Sequence, residues 1–495
     1  MLSKSDYLLY LKHPAWLWLK KHDEKKLPKI SENTQAVFDR GHLFEKYAER
    51  LFPGGVTVGF SEDDFIHTYL DMPVRTKKAL ADGATTLFQG RFESGKLTCI
   101  CDIIKVVGDN VVDLYEIKSS TKTKELHKHD LTFQRIVLEQ AGYKVRYVLE
   151  LHANKGYVRD GDIDVHQLIA TDDLTDITTE LRDETMVEAA RAVRVMESSE
   201  IPDISPALVR FDGREEWMAI YESLTHFDAE SIYALAGLNA KKTSELEELG
   251  IRNLRDIPAS ITLRPNQKRQ VRAVKENHVI VDGAKIREFL AALVYPLYFL
   301  DYETLSCLVP EYDGTRPYEQ IPFQYSLHIL DRPDGELTHV GYLHADQSNP
   351  VEALSTSLAT HIGPKGTVLA WHSNFEESRN TEMGEMAPEF QEFYRKVNRR
   401  MVDLKMPFSE GWYIDKNFFG SASIKHVLPV LIPELSYEDL EIREGNSAQR
   451  IWMETVLEGK HKEEREKIFH ALDTYCALDT LAMVKIYEYL LKVAG

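Results

Sequence analysis

Asp102, Glu116 and Lys118 stand in an order that suits hydrolysis of a phosphate ester. Asp102 lies in TCICDIIKVV, which reads as a strand. Gly108-Asp109-Asn110 reads as a turn and VVDLYEIK as the returning strand. Residues two apart on a strand face the same way, so Glu116 and Lys118 share a face, and the hairpin brings Asp102 beside Glu116. Two carboxylates so placed suit Mg2+ or Mn2+, hard ions that prefer oxygen. Such an ion polarises a phosphate and generates hydroxide, while Lys118 orients the water or neutralises charge in the transition state.

A second group lies in the C-terminal half. LYFLDYET puts Asp301 and Glu303 on one face of an apolar strand. In the long last helix Tyr475 and Asp479 are four apart and share a face. Three carboxylates and a tyrosine therefore meet. A fourth carboxylate is needed for two metal ions about 4 Å apart, which clamp the attacking and leaving oxygens of a phosphodiester.

The first group resembles the PD-(D/E)XK nucleases, in their RecB-like branch. The resemblance implies a role for Gln134, in DLTFQRIVLEQAGYKV, and a weaker one for Tyr143, in placing the metal site and the nucleic acid. Upstream, Gly41-His42-Leu43-Phe44-Glu45 resembles the helix that gives an additional ligand, with Glu45 favoured over His42. Many RecB-like relatives hold an iron–sulfur cluster on one N-terminal cysteine and three after the core. Here the first position reads Lys12-His13-Pro14 and residues 200–220 contain no cysteine, so no such cluster is expected and packing must join these segments. Asp130 reads as a helix N-cap and His127 and His129 as solvated loop residues.

The second group resembles the DnaQ-like exonucleases of the ribonuclease H fold, in the DEDDy subgroup: FLDYET matches their first motif and TYCALDT their third. The resemblance implies that Tyr475 positions the attacking water. WHSNFEES resembles the second motif with Glu376 in place of the usual Asp; Asp403, in RMVDLKMPF, is the alternative. GSASIKHVLP resembles a segment that touches substrate through Ser423 and Lys425. His470 offers a rival third motif but has no Asp five residues on. Asp473 reads as a neighbour of the ligands or as exposed.

The elements that must position these groups divide the chain into three. Residues 1–200 mix helix and strand and give a restriction-endonuclease-like domain. Residues 205–285, after the linker IPDISP, are helical. AGLNAKKTSELEELGIRNLRDIP resembles a helix-hairpin-helix, with Gly237 in the turn, Asn239 where a second Gly is usual, and Lys241 and Lys242 to meet phosphate. Arg269 and Arg272 extend the basic stretch. Residues 290–495 form a second, ribonuclease H-like domain with a helical C-terminal half. The fold class is α/β. The whole chain resembles a bacterial family that joins a RecB-like nuclease to a DnaQ-like exonuclease.

Bulk properties bound the function. Apolar content of 43% and charged content of 28% fit a globular protein, and no apolar run reaches the roughly 18 residues of a membrane span. The N-terminus is too mixed for a signal peptide, so a cytoplasmic protein is expected. A net charge of −19 argues against a large nonspecific nucleic-acid footprint. The four cysteines form no C-x-x-C pair and read as buried thiols. The expectation is a metal-dependent DNA nuclease with two sites, a 3′-5′ exonuclease plus a RecB-like nuclease, in repair or in defence against foreign DNA. Its rivals are an RNA-processing nuclease and a nucleic-acid-binding adaptor with one inactive lobe.

Overall fold

A computed structural model describes residues 1–59 and 65–495. The chain is mixed α/β and divides into two compact units. Unit 1 is Met1–His226 with Cys307–Tyr318; unit 2 is Phe227–Ser306 with Glu319–Gly495. The three stretches read from the sequence regroup accordingly. Residues 205–226 fall in unit 1, residues 227–285 in unit 2, and residues 307–318 return to unit 1. Among the described residues, no helix is long and apolar enough to cross a membrane.

Unit 1 is built on β1 (Leu2–Ser3), β2 (Val56–Thr57), β3 (Thr86–Ser94), β4 (Leu97–Gly108), β5 (Val111–Lys118), β6 (Lys144–Ala153) and β7 (Ile169–Asp173), ordered β2-β3-β4-β5-β6-β7 with β1 against the start of β4. The β4–β5 turn is tight because Asn110 takes a positive φ of 54°, which Asn tolerates better than most residues. β5 and β6 are parallel and so need a crossover, supplied by the helix Glu125–Gln140. That helix buries Leu131, Phe133, Ile136, Val137 and Leu138, and Tyr7 of the helix Lys4–Lys12 stacks on Phe133 with ring centroids 4.9 Å apart. Each such side chain contributes about 1.5–3 kcal/mol by leaving water. Two helices, Thr175–Glu180 and Arg182–Glu197, follow β7 and are separated at Leu181.

Packing joins the N-terminal helices to residues 204–217. The His13 ring stacks on Trp217 at 3.7 Å between centroids and 11° between planes. Burial lowers His13 to about 4, so the ring is neutral near pH 7. Its Nδ1 accepts from the Ala15 N–H at 3.1 Å, which leaves Nε2 to donate to the Ser205 carbonyl at 3.0 Å. The Trp217 indole donates to Ile204 O at 3.2 Å, and the Arg210 N–H to Lys12 O at 3.0 Å.

Unit 2 holds a five-stranded sheet and a two-stranded one. Its strands are β8 (Ile280–Val281), β9 (Leu297–Ser306), β10 (Gln320–Leu330), β11 (Leu337–Leu343), β12 (Thr367–Ala370), β13 (Met401–Asp403) and β14 (Tyr413–Ile414). The larger sheet runs β11-β10-β9-β12-β13, and β14 pairs with β8. β10 is antiparallel to β9 and β11, whereas β12 is parallel to both β9 and β13. Leu297, Tyr298, Phe299 and Leu300 are consecutive and all buried, so β9 is covered on both faces, as a central strand must be. The helix Arg465–Ala494 packs on β9, β10 and β11.

Residues 232–274 of unit 2 enclose a small core of Leu235, Leu246, Leu254, Val271 and their neighbours. Gly237 takes φ 57° as the turn requires. Asn239 was expected to be left-handed; it is extended instead and caps the helix Ala240–Glu248 by accepting from Lys242 N–H at 2.9 Å. An Asn side chain gains more from capping than from adopting a strained φ.

Candidate functional site

Each unit gathers one group of carboxylates. In unit 1, β4 ends its pairing with β5 at Ile103↔Tyr115, which sets Asp102 beside Glu116. Asp102 Oδ2 accepts from the Ile117 N–H at 2.8 Å. Lys118 donates to Glu116 Oε1 at 2.8 Å and to Asp130 Oδ2 at 2.5 Å. Gln134, fully buried, donates to Glu116 Oε2 at 2.8 Å and to Asp130 Oδ1 at 3.0 Å. The hairpin and Lys118 therefore meet as the spacing predicts, and Gln134, implied by the resemblance, joins them.

Asp130 is not an N-cap. The helix begins at Glu125, five residues earlier, so Asp130 lies inside it, buried, and holds Lys118 and Gln134. His127 and His129 are on the same helix and not in a solvated loop; His127 Nδ1 lies 2.9 Å from Glu150 Oε1, and His129 is buried. Tyr143, half-buried, packs edge-on against Phe92 at 5.4 Å at the margin of the core.

Glu45 comes from the helix Glu32–Glu49. Gly41 lets that helix approach, since a Cβ there would stand 3.0 Å from Ser119 Oγ. Burial and the charge of Glu116 raise the Glu45 carboxyl, while Lys4 and Lys118 lower it, so it lies within their field. His42 on the same helix is exposed.

Sequence reasoning missed Lys4. Its ammonium donates to Glu116 Oε1 at 2.7 Å and lies 3.7 Å from Asp102 Oδ1. Burial and the neighbouring Glu116 push Asp102 up to about 7. Burial also pushes on Glu116, but Lys118 and Lys4 more than offset it and hold the carboxyl at about 2. Four carboxylates here, Asp102, Glu116, Asp130 and Glu45, thus share two ammonium groups.

In unit 2 the balance differs. Asp301 and Glu303 project from β9, and with Cys476 they offer ligand atoms within 4.8 Å of one another. Asp479 is one helical turn beyond Tyr475 and accepts from Tyr475 and, at 2.5 Å, from Tyr437. Glu376 joins from the helix Asn374–Met386; it is buried, and its Oε2 has no hydrogen-bond partner among the described residues. Burial and the Asp479 charge raise Glu303 to about 8. Burial, with Asp403 adding, raises Glu376 to about 8, and burial raises Asp479 to about 6. Burial, Asp479 and Glu303 push Asp301 up as well.

Lys425 is the lysine whose charge reaches Glu303 and Asp479, and its ammonium donates to Arg443 O at 2.8 Å. Ser423 stands at the N-cap position of the helix Ile424–Leu431 without a side-chain capping bond. Asp403, the alternative to Glu376, is engaged: its Oδ1 accepts from the His372 and Lys405 N–H groups, each at 2.9 Å. Asp473 accepts from Gln324 at 3.0 Å. A crowd of carboxylates with raised affinity for protons, one of them with an orphaned oxygen, fits a multivalent cation, because a cation lowers the same repulsion that protons lower.

The basic residues of the middle segment are partly spent on the protein itself. Lys242 donates to Glu245 and to Thr262 O, Arg269 to Gly411 O at 2.6 Å, and Arg272 to Glu276. Lys241 is exposed. All four cysteines are buried and none is in a disulfide; Cys99 and Cys101 Sγ lie 3.6 Å apart.

A family model described as a domain of unknown function, DUF2779, matches residues 298–423. That stretch takes in Asp301, Glu303, Glu376 and Asp403 and ends before Tyr437, Tyr475 and Asp479. Among curated proteins, Uncharacterized protein MG366 of Mycoplasma genitalium is 23% identical over 214 residues, covering 39% of this chain and 31% of that protein. Its homolog in Mycoplasma pneumoniae is 23% identical over 233 residues, covering 44% of this chain and 35% of the relative. The matches thus span about a third of the length of these relatives. No solved structure matches.

Proposed function

We propose that the chain is a divalent-metal-dependent nuclease with two phosphodiesterase sites, a 3′-5′ exonuclease in unit 2 and a RecB-like nuclease in unit 1, with DNA as the favoured substrate. The observation that carries this reading is the pair Asp301 and Glu303, whose ligand atoms lie within 4.8 Å of one another on β9, with the charges of Asp479 from the last helix and Glu376 from a third element both reaching Asp301. The order β11-β10-β9-β12-β13, with the Asp-x-Glu pair on the central strand, supports the resemblance to the ribonuclease H fold.

Divalent ions held by these carboxylates supply Lewis-acid polarisation of the phosphate and a water ionisable near neutral pH. The chain does the rest. Asp301 and Glu303 would hold the ions, with Asp479 and Glu376 as further ligands. Tyr437 holds Asp479 in its ionised form through a charge-assisted hydrogen bond. Tyr475, one turn before Asp479 and hydrogen-bonded to it, would orient the attacking water, as the resemblance implies. In unit 1, Asp102 and Glu116 take the ligand roles, Glu45 adds a third carboxylate, and Lys118, locked by Asp130, faces the phosphate. A role in DNA repair or in defence against foreign DNA rests on fold-level analogy.

The test uses 5′-labelled single-stranded DNA and RNA of matched sequence with Mn2+. Stepwise shortening of DNA from the 3′ end, lost in Asp301→Asn with Asp479→Asn, is expected. Shortening of RNA alone would move the substrate to RNA. Binding without cleavage of either polymer would replace the nuclease by the adaptor reading, which the compensated charge of unit 1 favours for that lobe.

A further inference from the structure

Lys4 sits where a cation shared by Asp102 and Glu116 would sit. The position is built, not incidental. Leu2 pairs with Leu97 at the start of β4, and its N–H donates to Lys96 O at 2.7 Å. Ser3 then caps the helix Lys4–Lys12 in a reciprocal box with Asp6, each N–H donating to the other side chain at 3.1 Å. Lys21 pins Asp6 from the next helix at 2.7 Å. The backbone on both sides of Lys4 is therefore fixed, and its stem delivers the ammonium to Glu116 Oε1, the same oxygen that Lys118 uses.

A divalent ion bridging Asp102 and Glu116 needs oxygens at about 2.0–2.6 Å, inside the volume the ammonium takes. In unit 2, Asp479 accepts from the Tyr437 hydroxyl instead, and Lys425 donates to a carbonyl. We propose that Lys4 is a built-in competitor for the cation of unit 1, so that a divalent ion loads there only as the Lys4 ammonium withdraws, whereas in unit 2 Lys425 donates to the Arg443 carbonyl instead. This rests on the reading of Asp102 and Glu116 as metal ligands. It makes the metal affinities of the two units unequal by design and ties loading of unit 1 to the N-terminal segment.

The test is calorimetric titration of Mn2+ into the full chain carrying Asp301→Asn and Asp479→Asn, which leaves unit 1 as the site observed. A position filled nine-tenths of the time by a competitor lowers apparent affinity about tenfold. Lys4→Met, which keeps the stem and removes the charge, is expected to bind Mn2+ at least about tenfold more tightly than its parent. Lys4→Gln serves as a second neutral replacement if the Met variant folds poorly, and Lys4→Arg is expected to stay near the parent. Asp102→Asn with Glu116→Gln defines the site by abolishing the binding. If that pair abolishes binding but neither neutral variant tightens it, Lys4 does not compete and the metal-site reading survives alone. If no variant shows binding that depends on Asp102 and Glu116, the metal-site reading and the competition both fall.

Discussion

Tyr437 donates its hydroxyl to Asp479 Oδ1 at 2.5 Å. The bond ties an irregular segment between two helices to the last helix of unit 2. It also works against burial, which raises Asp479 to about 6; the tyrosine favours the ionised form and so limits the rise. Tyr437→Phe removes that help. Asp479 then ionises only at higher pH, and the acid limb of kcat/KM against pH, measured with Mn2+, moves in the alkaline direction. An unmoved limb would separate Tyr437 from the function of Asp479.

Metal-free stability carries a related signature. Burial, with the Asp479 charge adding at Glu303, holds the folded Glu303 carboxyl at about 8, and burial holds Glu376 at about 8, against about 4.3 in an unfolded chain. The folded state then keeps protons that the unfolded state has released, so stability falls as pH rises from about 4.3 through 8. Thermal denaturation in chelator is expected to show Tm dropping between pH 5 and pH 8.5. Mn2+ recovers the loss most at the alkaline end, and Asp301→Asn flattens the slope. A rising Tm over that range contradicts the assignment.

Glu376 and Asp403 are separable by what each touches. Glu376→Gln is expected to weaken Mn2+ binding in unit 2 while leaving the fold intact. Asp403→Ala strands the His372 and Lys405 N–H groups and costs about 1–3 kcal/mol of stability, with Mn2+ affinity in the folded fraction little changed. Paired denaturant melts and metal titrations decide it; the reverse pattern makes Asp403 the ligand.

Tyr475→Phe tests orientation rather than binding. Loss of a water-positioning hydroxyl costs roughly 10²-fold in kcat, since small misplacements carry penalties of that order. KM and Mn2+ affinity stay near those of the parent. A variant that loses affinity but keeps kcat would make Tyr475 a support for Asp479 alone.

The elements that position the sites are read easily where pattern is local. VVDLYEIK is β5 residue for residue, because a short run rich in Val, Ile and Tyr behind a Gly-Asp-Asn turn is written in adjacent positions. Asp102, Glu116 and Lys118 meet for the same reason, as one hairpin, and Gln134 reaches them from the crossover helix that joins the parallel strands β5 and β6. Lys4 was illegible: it lies 112 residues from Glu116, and nothing nearby in the sequence marks a lysine on a mixed helix as the partner of a buried carboxylate. Tyr437 sits in a stretch without periodicity. Asp130 was misread because an Asp before an apolar run looks like a cap, and only the tertiary demand of Lys118 puts a carboxylate inside a helix. The basic run 264–275 promised a phosphate surface, yet carbonyls of the same unit claim Arg264, Arg269 and Lys275.

The His13–Trp217 stack has a stability cost attached to it. Trp217 is fully buried, and Trp217→Ala is expected to cost about 3–5 kcal/mol, measured by urea denaturation of the full chain. A cost below about 1 kcal/mol would mean that other contacts carry the joint.

That joint is made of an imidazole, an indole and a few carbonyls, all of which arrive with the polypeptide. Because each ring is the other's platform, replacing either one loosens both segments together.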